Sequence, residues 1–134
     1  GRYKKNIRDN VAGLDFILKL RPVTYQMDVT SLSKKLEEGR GAQLHETMKT
    51  AIAEKERMIW TGFVAQEVEA SANETGFVFS GVDKPRNENG LYGLRYAEFV
   101  VPLVKSVQEQ QQQINDLKKE IELLKEQIKL LLNY

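Results

Sequence analysis

Ile114, Ile121 and Ile128 alternate with Leu117, Leu124 and Leu131 in an unbroken 4–3 spacing near the end of the chain. This is a heptad register with isoleucine at each a position and leucine at each d position. One helix cannot satisfy such a seam alone. Burying a Leu or Ile side chain contributes roughly 1.5–3 kcal/mol, so six of them leave on the order of 10 kcal/mol unused in an isolated chain. The sequence is built to associate, and assembly constrains it before any catalysis does.

The charges flanking the seam agree with a parallel, in-register pairing: Glu120 falls at g and Lys125 at the following e. Copy number stays open at this level. Ile at a with Leu at d favours two strands, whereas Leu123 and Leu130 at c and Leu132 at e widen the apolar face and favour three or more. The alternative is a helix packed antiparallel on its own globular part. A helix of roughly 35 residues would span about 50 Å, more than a small domain can cover.

At 134 residues with a net charge of +1, the chain offers one small domain plus this helix, and no strong attraction to polyanions. Cysteine is absent, which excludes disulfides and thiolate metal sites. The single histidine, His45, cannot build a histidine zinc site and reads as a solvated helix residue. No apolar run approaches a membrane span, no signal-peptide pattern is present, and no Gly-rich loop ends in Lys-Ser or Lys-Thr. These features point away from small-molecule catalysis and imply no cofactor or metal.

Along the chain, the first eight residues carry Arg2, Lys4, Lys5 and Arg8 and suit an extended segment. Asp9 or Asn10 can cap a short helix whose apolar stripe is Val11, Leu14, Ile17 and Leu18, ended by Pro22. Val23–Asp28 alternates as a strand, and 29–57, interrupted by Gly39 and Gly41, reads as a peripheral insertion of one or two amphipathic helices. Met58–Val64 is a second strand, Gln66–Ala72 a short helix with Val68 inward, Phe77–Phe79 a third strand, Gly81–Gly90 a loop and Leu91–Tyr96 the last strand. One helix runs from Ala97, with Pro102 in its first turns, where a proline costs least. Val100, Leu103, Val104 and Val107 lead into the heptads, and Gln110 occupies a d position within the run Gln108–Gln113. A polar layer there weakens a bundle but can fix its register; the plain alternative is a solvated surface. The expected fold class is α+β: a small mixed domain with short strands over 1–96, then a long helix over 97–134 forming a parallel coiled coil.

Three segments taken together resemble one family. They are GRYKKNI (Gly1 to Ile7) followed by LRPVTY (Leu20 to Tyr25), TGFVAQEVE (Thr61 to Glu69), and LRYAEFVVPLVKSVQEQ (Leu94 to Gln110). This pattern is similar to the C-terminal intramolecular chaperone of phage tail spikes and fibres, first named from endosialidase, with a related domain in the myelin regulatory factor. The resemblance implies a trimerising module behind a β-rich fibre, which registers three chains and then cuts itself off through a Ser-Lys pair. The family cleavage motif is Ser-Asp-x-Arg-x-Lys. Arg2 and Lys4 match its Arg and Lys, and the Ser and Asp would precede Gly1, so the sequence reads as the released product or a chain begun beyond the cut.

Lys4 is assigned the general base by that resemblance. A lysine activates a serine only when neutral, and neighbouring cations such as Arg2, Lys5 and Arg8, or burial, push it that way. Read from the residues alone, it is a solvated charge in a basic run. Gly62, Phe63, Ala65, Gln66 and Glu67 match the family's Gly-Phe-x-Ala-Gln-Glu segment. The residues themselves fit an architectural role: Gly62 for close backbone approach, Gln66 and Glu67 for a helix start. Trp60 stands where several family members carry His, which puts the speed of any cut in doubt.

The leading expectation is therefore a self-cleaving trimerisation chaperone whose partners are two further copies of itself, with a dimer as the alternative, and an upstream fibre domain of the same precursor. It would act in a phage tail-fibre precursor in the host cytoplasm, or in a bacterial surface fibre. The runner-up is an oligomerisation tether that never cuts. A nucleic-acid binder using the basic N-terminus comes third, because no basic helix continues into the zipper.

Overall fold

The computed structural model describes residues 3–37 and 46–134. Arg2, Gly39, Gly41 and His45 lie outside the described residues. In chain order the elements are α1 (Leu14–Ile17), β1 (Val23–Tyr25), α2 (Val29–Glu37), α3 (Glu46–Arg57), β2 (Trp60–Gly62), α4 (Ala65–Glu74), β3 (Val82–Asp83), β4 (Gly93–Leu94), a 3-10 turn (Tyr96–Phe99) and α5 (Val100–Leu132). Helices and short strands mix, and the chain ends in a 33-residue helix about 50 Å long.

All five phenylalanines of the sequence converge on one core. Phe16 and Phe99 are buried with Val68 and Ala72 of α4, and Phe63, Phe77 and Phe79 pack against them. Phe16 meets Phe77 edge-on at 5.2 Å, and Phe79 meets Phe99 at 4.8 Å and 69°. Such pairs add roughly 0.5–1.5 kcal/mol each beyond their burial. The amphipathic spacing of α4 delivers Val68 to this centre, as the sequence predicts, with Ala72 one turn on beside it.

The N-terminal helix departs from its expected form. It is one turn, capped at Gly13, and its buried residue is Phe16; Leu18, placed in the predicted stripe, is exposed. Asp9 and Asn10 precede the helix by several residues. Helix spacing in so short an element carries little information, and the aromatic ring takes the core.

Phe77–Phe79 does not form a strand. Gly76, at φ 64°, turns the chain after α4, and the Phe77 amide donates to the Ala72 carbonyl at 2.9 Å. The alternation is real, since Phe77 and Phe79 enter the core while Val78 is 96% exposed, but among the described residues no partner strand lies beside it. The third strand, Val82–Asp83, falls in the predicted loop and pairs antiparallel with β4, Val82 opposite Leu94. The other strands are shorter than expected, three residues in each of β1 and β2.

Between β1 and β2 the described residues form two helices, α2 and α3, within the 29–57 stretch read as helical. Asp28 caps α2, accepting from the Ser31 amide at 2.8 Å. Glu56 closes the base of the pair by accepting from the amide and hydroxyl of Thr30. No residue of α3 is buried, so that helix lies at the periphery.

The globular part grips only the first turns of α5. Pro102 and Ser106 are buried and Glu109 is half-buried, the Ser106 hydroxyl donating back to the Pro102 carbonyl at 2.8 Å. These three sit at heptad positions c and g. The seam faces elsewhere: Ile114, Leu117, Ile121, Leu124, Ile128 and Leu131 are between 45% and 75% exposed. Val100, Leu103, Val104 and Val107 continue that exposed stripe up to the domain. The helix is not folded back on its own globular part.

Candidate functional site

The short sheet β1–β2 brings two of the motif segments together. Val23 lies opposite Gly62, Thr24 opposite Thr61 and Tyr25 opposite Trp60. Because side chains alternate across a strand, Tyr25, Trp60 and the bare face of Gly62 share one side. The third segment supplies Tyr96, whose hydroxyl sits where a Cβ on Gly62 would be and accepts the Phe63 amide at 3.2 Å. Here the glycine is required by close approach, as its position at a strand end suggests. Phe63 then stacks on Phe99 at 5.2 Å and 18°, tying β2 to the start of α5.

An open groove of about 640 Å³ results, lined by Pro22, Val23, Thr24, Thr61, Gly62, Phe63 and Tyr96. All three segments contribute to it. Tyr25, Trp60 and Tyr96 are 38%, 48% and 48% exposed. Its polar content is sparse: two threonines and the tyrosine hydroxyl.

Glu67 and Gln66 lie at the start of α4, where acidic groups meet the positive end of the helix. Gln66 is exposed and Ala65 half-buried. Glu67 is held by Arg21 in a two-point ion pair, Nε to Oε2 at 3.0 Å and Nη2 to Oε1 at 2.5 Å. These hydrogen bonds lower the Glu67 pKa below its ordinary value and raise that of Arg21. The pair joins the LRPVTY segment to the GFVAQE segment, the architectural use of Glu67.

A second carboxylate network was not legible in the sequence. Glu69, one turn before the end of α4, binds Lys84 as an ion pair and accepts from the Tyr92 hydroxyl at 2.9 Å. Hydrogen bonds from Lys84 and then Tyr92 lower its pKa. The same contact raises the pKa of Lys84 and of Tyr92. It staples the β3–β4 region to α4, and the loop spacing of Lys84 and Tyr92 gives no local signal for it.

Lys4 lies on an exposed N-terminal arm without helix or strand. Asn6 adopts φ 52° there. The arm is fastened further along, where Lys105 pairs with Asp9 at 3.8 Å and the Leu14 amide donates to Glu109 Oε2 at 3.0 Å. Among the described residues no hydrogen bond or ion pair joins Lys4 to the Gly62–Glu67 segment. The six heptad residues share one stripe of α5 and are 45–75% exposed. Among the described residues no group of three or more His, Cys, Asp or Glu could hold a metal ion, and no helix is long and apolar enough to cross a membrane.

No curated protein and no solved structure matches the chain. Residues 1–77 match the model of a peptidase family described as chaperone of endosialidase. The match takes in GRYKKNI, LRPVTY, the helical insertion and TGFVAQEVE, and ends before the segment that leads into α5. With more than half of its length inside that match, the chain belongs to the chaperone-of-endosialidase family.

Proposed function

We propose that this chain is an intramolecular chaperone that holds three copies of an upstream fibre or tailspike segment in register. Residues 1–96 act as the globular chaperone unit and 97–134 as the assembling helix. The observation that carries this reading is the uncovered seam: the one face of α5 with a strict heptad pattern is the face its own domain leaves open. Three α5 helices meeting along it raise the effective concentration of the attached chains and align them. Val104 and Leu132 at e widen the apolar face and support three strands over two.

Release would follow by cleavage at the N-terminal boundary. A serine ahead of Gly1 attacks the peptide carbonyl and passes its proton to a neutral Lys4. The lysine returns that proton to the departing amine, and water hydrolyses the ester. Arg2 would complete the motif. In this scheme Gly62, Phe63, Ala65, Gln66 and Glu67 build the scaffold rather than the chemistry.

A chain extended ahead of Gly1 by Ser-Asp and a folded reporter tests this. The reporter is released from the extended chain and retained when Lys4→Ala or the added serine→Ala is introduced. Sedimentation of the present chain is expected to give a trimer. Retention of the reporter in every version leaves the non-cleaving tether, which the exposed, unconnected position of Lys4 and the presence of Trp60 favour. A monomer contradicts both readings.

A further inference from the structure

We propose that Gln110 fixes the direction in which copies of this chain pair, keeping their α5 helices parallel. The apolar stripe of α5 runs from Val100 to Leu131, and Gln110 is its one polar a or d position. Its neighbours in the glutamine run are engaged within their own chain: Gln111 donates to Asn115 and Gln112 to Asp116, both at 2.9 Å. Gln110 lies exposed on the seam, and among the described residues its side chain makes no hydrogen bond.

An apolar stripe alone does not choose a direction. Turned end for end, it still pairs every layer, a against d, with Val100 opposite Leu131. Every layer is exposed in the single chain, so its own domain covers none of them. Charge decides little, because Glu120 and Lys125 are exposed and Lys125 is held by Glu122 of its own chain at 2.9 Å. Gln110 does discriminate. In a parallel bundle the Gln110 side chains meet at one height, where each carbonyl can accept from the next amide. In the reversed pairing each Gln110 lies opposite Ile121, which offers neither donor nor acceptor. An amide orphaned in this way disfavours the arrangement roughly tenfold or more. The polar layer thus gives up some stability for direction. Direction matters because only parallel helices bring the N-terminal ends, and any segment ahead of them, to one side. This role rests on the assembly proposed above and is independent of cleavage.

The chain has no cysteine, so Glu126→Cys gives a single site for a nitroxide label at the outward f position. Label-to-label distances from pulsed electron paramagnetic resonance report direction. Parallel labels share one height, whereas reversal offsets them by about 30 Å along the axis. One short distance is expected for the labelled parent chain and for Gln112→Ala, an outward change in the same run. Gln110→Leu is expected to raise the thermal midpoint while the long-distance fraction grows severalfold. Moving the amide, as Gln110→Leu with Ile121→Gln, is expected to restore the single short distance, because the new glutamines meet only in the parallel form. A short distance alone in Gln110→Leu overturns the proposal and leaves the assembly reading standing. A persistent long distance in the double variant also overturns it. A monomeric parent chain, or a long distance in the parent, sinks the assembly reading and this proposal with it.

Discussion

The Tyr96 hydroxyl occupies the space that a side chain on Gly62 would need, and the same oxygen accepts the amide of Phe63. A strand end and the lead-in to α5 are thereby locked by one phenol. Tyr96→Phe should cost about 0.5–1.5 kcal/mol, the net value of one hydrogen bond. Gly62→Ala should cost about 1–3 kcal/mol through overpacking, and less in the Tyr96→Phe background, where the colliding oxygen is gone. Urea unfolding of the two single variants and the double variant measures this coupling.

Among the described residues Phe16 is the one fully enclosed aromatic ring, touching Phe77 and Phe79 from a one-turn helix. Phe16→Ala should destabilise by about 3–5 kcal/mol, enough to unfold a small domain under ordinary conditions. Phe16→Leu keeps most of the volume and should retain the fold. Far-ultraviolet circular dichroism alone would miss the loss, because α5 contributes so much helix. Near-ultraviolet signal and denaturant midpoint are the measurements.

At the seam, Ile121→Asp places a charge at the centre of the a/d stripe. Each chain forfeits roughly 1.5–3 kcal/mol of burial and gains a carboxylate that the interface cannot hydrate. Sedimentation at micromolar concentration should show lighter species. Glu126→Ala, at the outward f position of the same heptad, should leave the assembly unchanged. Assembly lost in both variants, or in neither, contradicts the proposed interface.

Asp28, Glu67 and Glu69 all have pKa values lowered by native hydrogen bonds, from the Ser31 backbone, Arg21 and Lys84 respectively. A carboxylate whose folded value is lowered stabilises the fold above its unfolded value. That stability is lost as pH falls through the folded value. Thermal midpoints should therefore change little between about pH 6 and 8 and fall below about pH 4. Lys84 and Tyr92 have raised values, so their contribution is complete at neutral pH and is lost only above about pH 10. Glu69→Gln should flatten both limbs. Asp28, Lys84 and Tyr92 are exposed and Glu67 and Glu69 half-buried, so added salt should shrink the effect in part.

What the sequence disclosed followed the range of the interactions involved. Heptads are local, and α5 was readable from Ile114 to Leu131 and back to Pro102. The period of α4 placed Val68 inward, and Gly62 announced a close approach without naming Tyr96. The Phe77–Phe79 alternation correctly marked which residues turn inward, but a strand needs a neighbour, and the sequence holds no sign of whether one is present. Glu109 against Gly13, and Glu69 against Lys84 and Tyr92, join residues far apart in the chain, and no spacing rule reports them. For the candidate site, the motif segments were legible as strings, whereas their convergence on one groove was a product of folding.

The grip on α5 through Pro102, Ser106 and Glu109 lies roughly a third of a turn around the helix from its heptad stripe. In the proposed trimer, zipped along that stripe, the globular bodies would be forced outward, arrayed like petals beside the upper stem and not stacked above it. The far end of the rod stays slim and bare. Such a particle would tumble as an elongated club, with a frictional ratio well above that of a sphere of equal mass.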